Sequence, residues 1–145
     1  MANPIRGAIL AAAMTAAVAE AADPLPSLAA VPVASTQLVS PADYREAAAF
    51  AARAGAPLDI ALKIVGAFAG SAQHIIQVNE GAESPAASRV TVIRDGLLDD
   101  SIRGERWEIV LQRNASGAWG IREVKRAWRC WRGAHPDRFA AAPCP

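Results

Sequence analysis

The chain has little of what most recognisable activities need. With two Cys and two His among 145 residues, a zinc site finds too few ligands near the cysteines. No further Cys or His is on hand for a Cys–His nucleophile arrangement. No Ser sits in a Gly-x-Ser-x-Gly elbow, and no Gly-rich phosphate loop is present, so neither cofactor nor metal is implied. Aromatic residues make up 6% of the chain, and three of the four Trp fall from Trp119 to Trp131. The expected core is therefore modest and concentrated in the C-terminal half. An excess of charge of one sign is also lacking: the net charge is +1, too small to imply nucleic acid or an anionic membrane as a partner. The uncharged run from Gly7 to Ala19 falls short of the roughly 20 residues a membrane-spanning helix needs.

What is present has direction. Residues 22–100 carry a net charge of −4 and residues 101–145 a net charge of +5, halves of opposite sign that suit mutual attraction in a folded domain, the alternative being a basic surface that meets an anionic partner. At the N-terminus Arg6 precedes the Ala-rich apolar run, and Ala19-Glu20-Ala21 follows it. A positive start, a short apolar stretch and small residues at −3 and −1 make an export signal, with cleavage expected after Ala21. That places the mature protein in the periplasm or outside the cell, with no stable membrane span after processing. Two cysteines in an exported chain read as a disulfide. Cys130 and Cys144 enclose thirteen residues, a loop whose closure stabilises the fold by about 3 kcal/mol in the chain-entropy model.

Residues 22–39, with prolines at 24, 26 and 32, read as an extended linker, and a single domain is expected over 40–145. Ser40-Pro41-Ala42-Asp43 is a helix start: N-cap hydroxyl, proline in the first turn and an acid behind it. That helix is expected to reach Ala54 and stop at Gly55. A second helix should open at Pro57 and end at Gly70, with Leu58, Ala61, Leu62, Val65, Phe68 and Ala69 on its apolar face. Beyond it the period changes to two. Short strands are expected at Ile75–Val78 and Val90–Ile93, with a loop over 79–88 between them. A longer strand spans Glu105–Arg113, on which Trp107, Ile109 and Leu111 share one face. Asn114-Ala115-Ser116-Gly117 is a turn, and Ala118–Trp131 returns as the second arm of a hairpin, with a bulge or bend near Arg122-Glu123 where the apolar parity switches. The fold class is α+β: two N-terminal helices packed on an antiparallel meander sheet, similar to the cystatin or nuclear-transport-factor-like arrangement, with a disulfide-closed tail.

The segment Leu97-Leu98-Asp99-Asp100-Ser101-Ile102-Arg103-Gly104-Glu105-Arg106-Trp107, followed by Arg129-Cys130-Trp131 and a tail of Gly, His, Asp, an aromatic and Pro-Cys, resembles a group of small exported bacterial proteins of unassigned function. The likeness covers roughly residues 57–144. It implies export and a cysteine-closed tail, and no activity.

Two constellations could carry a site. Asp99 and Asp100 beside Ser101, Arg103, Glu105 and Arg106 could bind a hard cation or share acid–base work. Adjacent Asp residues in an extended segment point to opposite sides, however, so turn-making and pairing with the arginines suit them better. In the tail, Arg129, Arg132, His135 and Asp137 lie near Trp128 and Trp131, a combination able to hold an anionic or aromatic ligand. The same residues also suit a turn inside the disulfide loop, with the arginine stems lying over the Trp rings. His74 stands among apolar residues and reads as structural. The expectation is an exported, non-enzymatic domain that binds a protein or envelope component. The alternatives are a small enzyme built from Asp99, Arg103 and His135, and a purely structural envelope protein.

Overall fold

A computed structural model describes residues 27–53, 55–81 and 83–145. The expected export signal and its cleavage position at Ala21 lie outside them. Five strands, Gln37–Leu38 (β1), Ala72–Glu80 (β2), Ala87–Asp95 (β3), Ile102–Arg113 (β4) and Trp119–Cys130 (β5), form one antiparallel sheet in the order β1-β5-β4-β3-β2. Two helices, Arg45–Ala51 (α1) and Pro57–Val65 (α2), precede β2. Among the described residues no helix is long and apolar enough to cross a membrane.

The start at Ser40 forms as its residues dictate: the side chain accepts from the Ala42 N–H, and Pro41–Tyr44 makes a 3-10 turn that runs into α1. The second helix begins at Pro57 but stops at Val65, five residues before Gly70. Gly66 turns the chain at φ 71°, a conformation open to glycine at little cost. The Arg94 guanidinium then takes the carbonyls that a continuing helix would have used, donating from Nη1 to Val65 O (2.8 Å) and Ala67 O (3.3 Å) and from Nη2 to Gly66 O (2.6 Å). Phe68 is consequently exposed rather than part of an apolar helix face.

The alternation read in β4 is the core. Trp107, Ile109 and Leu111 join Val90, Val92, Trp119 and Val124 of the sheet, and Ala51, Ile60, Ala61 and Val65 of the helices, in one buried cluster. At the bend in β5, Val110 faces Glu123 while Leu111 faces Ile121, which leaves Arg122 as the extra residue of a bulge. A second shift brings Ile102 opposite Cys130 but Gly104 opposite Arg129, so Arg103 is also extra. There the chain is tight: a Cβ at Gly104 would meet Arg94 O at 2.6 Å.

Two expectations need correction. The loop expected over 79–88 is shorter, lying between Glu80 and Ala87, where β2 ends and β3 begins; the polar residues at its two ends serve the pairing, with Ser88 Oγ donating to Asn79 Oδ1 (2.8 Å). Residues 27–39, read as linker, lie along the domain instead of leaving it. Leu28 is buried with Ile93, Ala127 and Phe139 in a second cluster, on the sheet face opposite the helices. Phe139 N donates to Pro32 O (2.8 Å) and Ala34 N to Phe139 O (2.8 Å). Pro32 fixes its own φ where the strap meets Phe139, and Leu28 and Val31 give the strap apolar surface to bury.

Candidate functional site

The disulfide is formed, Cys130 to Cys144, with Cα atoms 5.5 Å apart. His135 is buried against it, Nδ1 3.4 Å from Cys130 Sγ, while the Cys130 N–H donates to His135 O. Cys130, His135 and Cys144 hold potential ligand atoms within 4.8 Å of one another, but the sulfurs are bonded to each other and offer no thiolate to a metal. Asp137 is exposed and pairs with Arg138 (2.9 Å), so it does not orient His135. Arg132 is exposed.

In the loop after β3, Asp99 Oδ1 accepts from the N–H groups of Ile102 (2.6 Å) and Ser101 (2.8 Å). Those bonds, Ile102 first, hold its carboxyl below the ordinary Asp range. A carboxylate committed to a turn in this way is a poor proton donor. Arg103 and Arg129 turn instead to Asp95. Arg103 Nε lies 3.3 Å and Arg129 Nη1 3.5 Å from Asp95 Oδ1. Arg129 Nε also donates to Pro136 O (2.8 Å), and the Arg103 guanidinium lies 5.3 Å from the Trp131 ring centre. Asp99, Arg103 and His135 thus occupy one end of the sheet, but each is spent on a different partner. The hub of that end is Asp95, which sequence reasoning missed; nothing local to Asp95 says which cations converge on it.

On the helix face, a polar row crosses the sheet. Cross-strand register aligns Gln73, Arg94 and Glu105. Arg94 Nε donates to Gln73 Oε1 (2.9 Å) and Nη1 to Glu105 Oε1 (3.3 Å). The other oxygen of Glu105 accepts from Arg126 Nη2 (2.8 Å). Arg126 is in turn sandwiched between two indoles, its guanidinium carbon 4.5 Å from the Trp107 ring centre and 4.8 Å from that of Trp128. The strand period places Arg126 and Trp128 on one face, and pairing with β4 sets Trp107 opposite Arg126.

These residues floor a cleft of about 290 Å³, roofed by Gln37, Leu38, Val39 and Asp43 of β1 and the turn after it. Two buried donors that border it, Trp107 Nε1 and Arg126 Nε, have no acceptor. A buried donor without a partner costs about 1–3 kcal/mol. A roomier hollow, about 470 Å³, lies between the α1–α2 connection and the β4–β5 hairpin. Its arginines are already committed, Arg113 to Pro85 O and Gly117 O and Arg53 to Ala49 O. Trp107 was legible as a core residue and Asp43 as a helix-start acid; their meeting with Arg126 depends on β1 reaching β5, which no local pattern announces. No protein-family model, curated protein or solved structure matches this chain.

Proposed function

We propose that the chain is an exported, non-enzymatic binding domain of the cell envelope, periplasmic or secreted, that holds an extended polypeptide segment of its partner in the Trp107–Arg126–Trp128 cleft. The observation that carries this reading is the Arg126 guanidinium, its side chain 31% exposed, stacked between the indoles of Trp107 and Trp128 beside the exposed Leu38. An extended peptide suits that lining: its carbonyls the Arg126 guanidinium, its N–H groups the Asp43 carboxylate, and its side chains Leu38 and the indole of Trp128. The disulfide and the export signal read at Arg6–Ala21 support a place outside the cytoplasm, as does the resemblance of residues 57–144 to small exported bacterial proteins. We read the helices and the meander as the cystatin or nuclear-transport-factor-like arrangement, a likeness of form that carries no chemistry.

The test is native intact-mass spectrometry of unreduced protein taken from an envelope extract, wild type beside Trp128→Ala. A chain starting at Ala22 that carries added polypeptide mass, lost in Trp128→Ala, is the expected result. A wild-type chain that arrives bare, or a variant that keeps the same added mass, overturns the cleft as the binding site; a chain still starting at Met1 overturns export.

A further inference from the structure

The fold treats the two edges of its sheet differently. Along the outer side of β5, β1 pairs at Gln37–Leu38 and Ala140 bridges Trp128, so that edge is largely covered. At the other side β2 is the last strand, paired only with β3 among the described strands. Proteins blunt an open edge with Lys, Pro, a bulge or a very short strand. β2 uses none of these. It is nine residues long, its register with β3 runs unbroken, and it contains no Lys, Arg or Pro. Ile75, Ile76 and Val78 are 39%, 40% and 59% exposed.

The geometry points to β2 as the seat of a second copy of this chain, paired antiparallel about a twofold axis at Gln77. The strand is complementary to itself in that register. Its ionisable side chains are His74 and Glu80, six residues apart on one face, and the axis sets each directly opposite the other's counterpart. On the same face, Ile76 of one copy meets Val78 of its partner, so the exposed apolar side chains cover each other. Cross-strand pairs of both kinds stabilise a sheet, and an isologous contact of this sort closes at two copies. The two sheets become one, and neither copy keeps its unprotected edge. This inference is independent of the cleft, which lies at the other side of the sheet.

The test uses the mature chain with its disulfide intact. Sedimentation equilibrium at micromolar concentration is expected to give twice the chain mass for wild type. For Val78→Lys, which brings a charge against Ile76 of the partner, the chain mass alone is expected, with the circular-dichroism spectrum of the folded chain retained. Should that variant fail to fold, cysteine scanning decides. In the proposed register Gln77 faces its own counterpart at a Cα spacing of about 4.5–5.5 Å, within disulfide range. The two copies of Ile75 stand about 13 Å apart along the strands. Gln77→Cys is therefore expected to cross-link into a double-mass species under mild oxidation, and Ile75→Cys to stay single. A wild-type chain of single mass, a dimer indifferent to Val78→Lys, or cross-linking that is equal at the two positions overturns the proposal.

Discussion

Replacing Arg94 by methionine keeps much of the buried stem and removes the guanidinium that closes α2 and anchors Glu105. Five acceptors lose a donor: Val65 O, Gly66 O, Ala67 O, Gln73 Oε1 and Glu105 Oε1. They do not count equally. Gly66 and Ala67 are exposed, so water replaces the arginine there at small cost. Val65 and Glu105 are buried, 8% and 7% exposed, and water reaches them poorly. Breaking a buried ion pair from one side costs about 3–5 kcal/mol, because the remaining charge is left uncompensated. Glu105 keeps Arg126 as a partner, which places the expected loss near the lower end, about 3 kcal/mol. Urea unfolding followed by tryptophan emission, disulfide intact, measures it. The control is Arg106→Met, whose pair with Glu108 lies on the sheet face opposite the helices with side chains 17% and 28% exposed; its expected cost is at most about 1 kcal/mol. Hydrogen exchange should also show the α2 amides opening faster in Arg94→Met. A loss below about 1 kcal/mol, or one equal to that of Arg106→Met, would refute the assignment of Arg94 as the buried clamp of the helix and sheet.

The remaining predictions are more local. Gly104→Ala should destabilise by about 1–3 kcal/mol, because its Cβ would sit 2.6 Å from Arg94 O and 3.0 Å from Asp95 Oδ1. Gly120→Ala, whose nearest neighbour is 3.6 Å away, should change stability by less than about 0.5 kcal/mol in the same denaturation assay. Removing the disulfide through Cys130→Ser with Cys144→Ser should cost about 3 kcal/mol, read as a lower urea midpoint, and should leave His135 open to chemical modification. The Asp99 carboxyl is depressed in the folded state by the Ile102 and Ser101 N–H bonds. Its contribution is therefore present above the unfolded value of 3.8 and is lost as pH falls through the lower folded value. The stability difference between wild type and Asp99→Ala should accordingly persist at neutral pH and shrink on strong acidification; a difference that grows with acid contradicts the bonding.

Where a structural signal is local, it was legible. The period of two from Trp107 to Leu111, the Asn114–Gly117 turn, the Ser40-Pro41 start and the parity switch around Arg122 are each set by a few neighbouring residues and backbone sterics. The disulfide followed from cysteine count and compartment. What escaped reading was set by distant partners. The end of α2 is decided by Arg94, whose sequence neighbourhood resembles a strand with a stray charge. The loop was read too long because the polar Asn79 and Ser88 at its ends bond to each other across the hairpin. The strap over 27–39 shows neither a helical nor a strand period and acquires its seat from Ile93, Ala127 and Phe139, far along the chain. At the candidate site, Arg103 and Arg129 were noticed as cations near tryptophans, but they serve Asp95, while the sandwich around Arg126 needed the β4–β5 register and the arrival of β1.

The strap also imposes an order on folding. Pro32 and Ala34 are held by Phe139, and Ser35 Oγ accepts from Ala141 N across 106 positions. A chain delivered from its N-terminus, whether by a ribosome or through a membrane pore, presents its strap first and the seat for that strap nearly last. Until residues 139–141 have emerged, the apolar patch around Ile93 and Ala127 stays uncovered and the early segment has nothing to hold. Such long-range closure is slow compared with local pairing. Completion of the domain therefore waits for release of the whole chain, a timing that keeps it threadable for as long as it is being delivered.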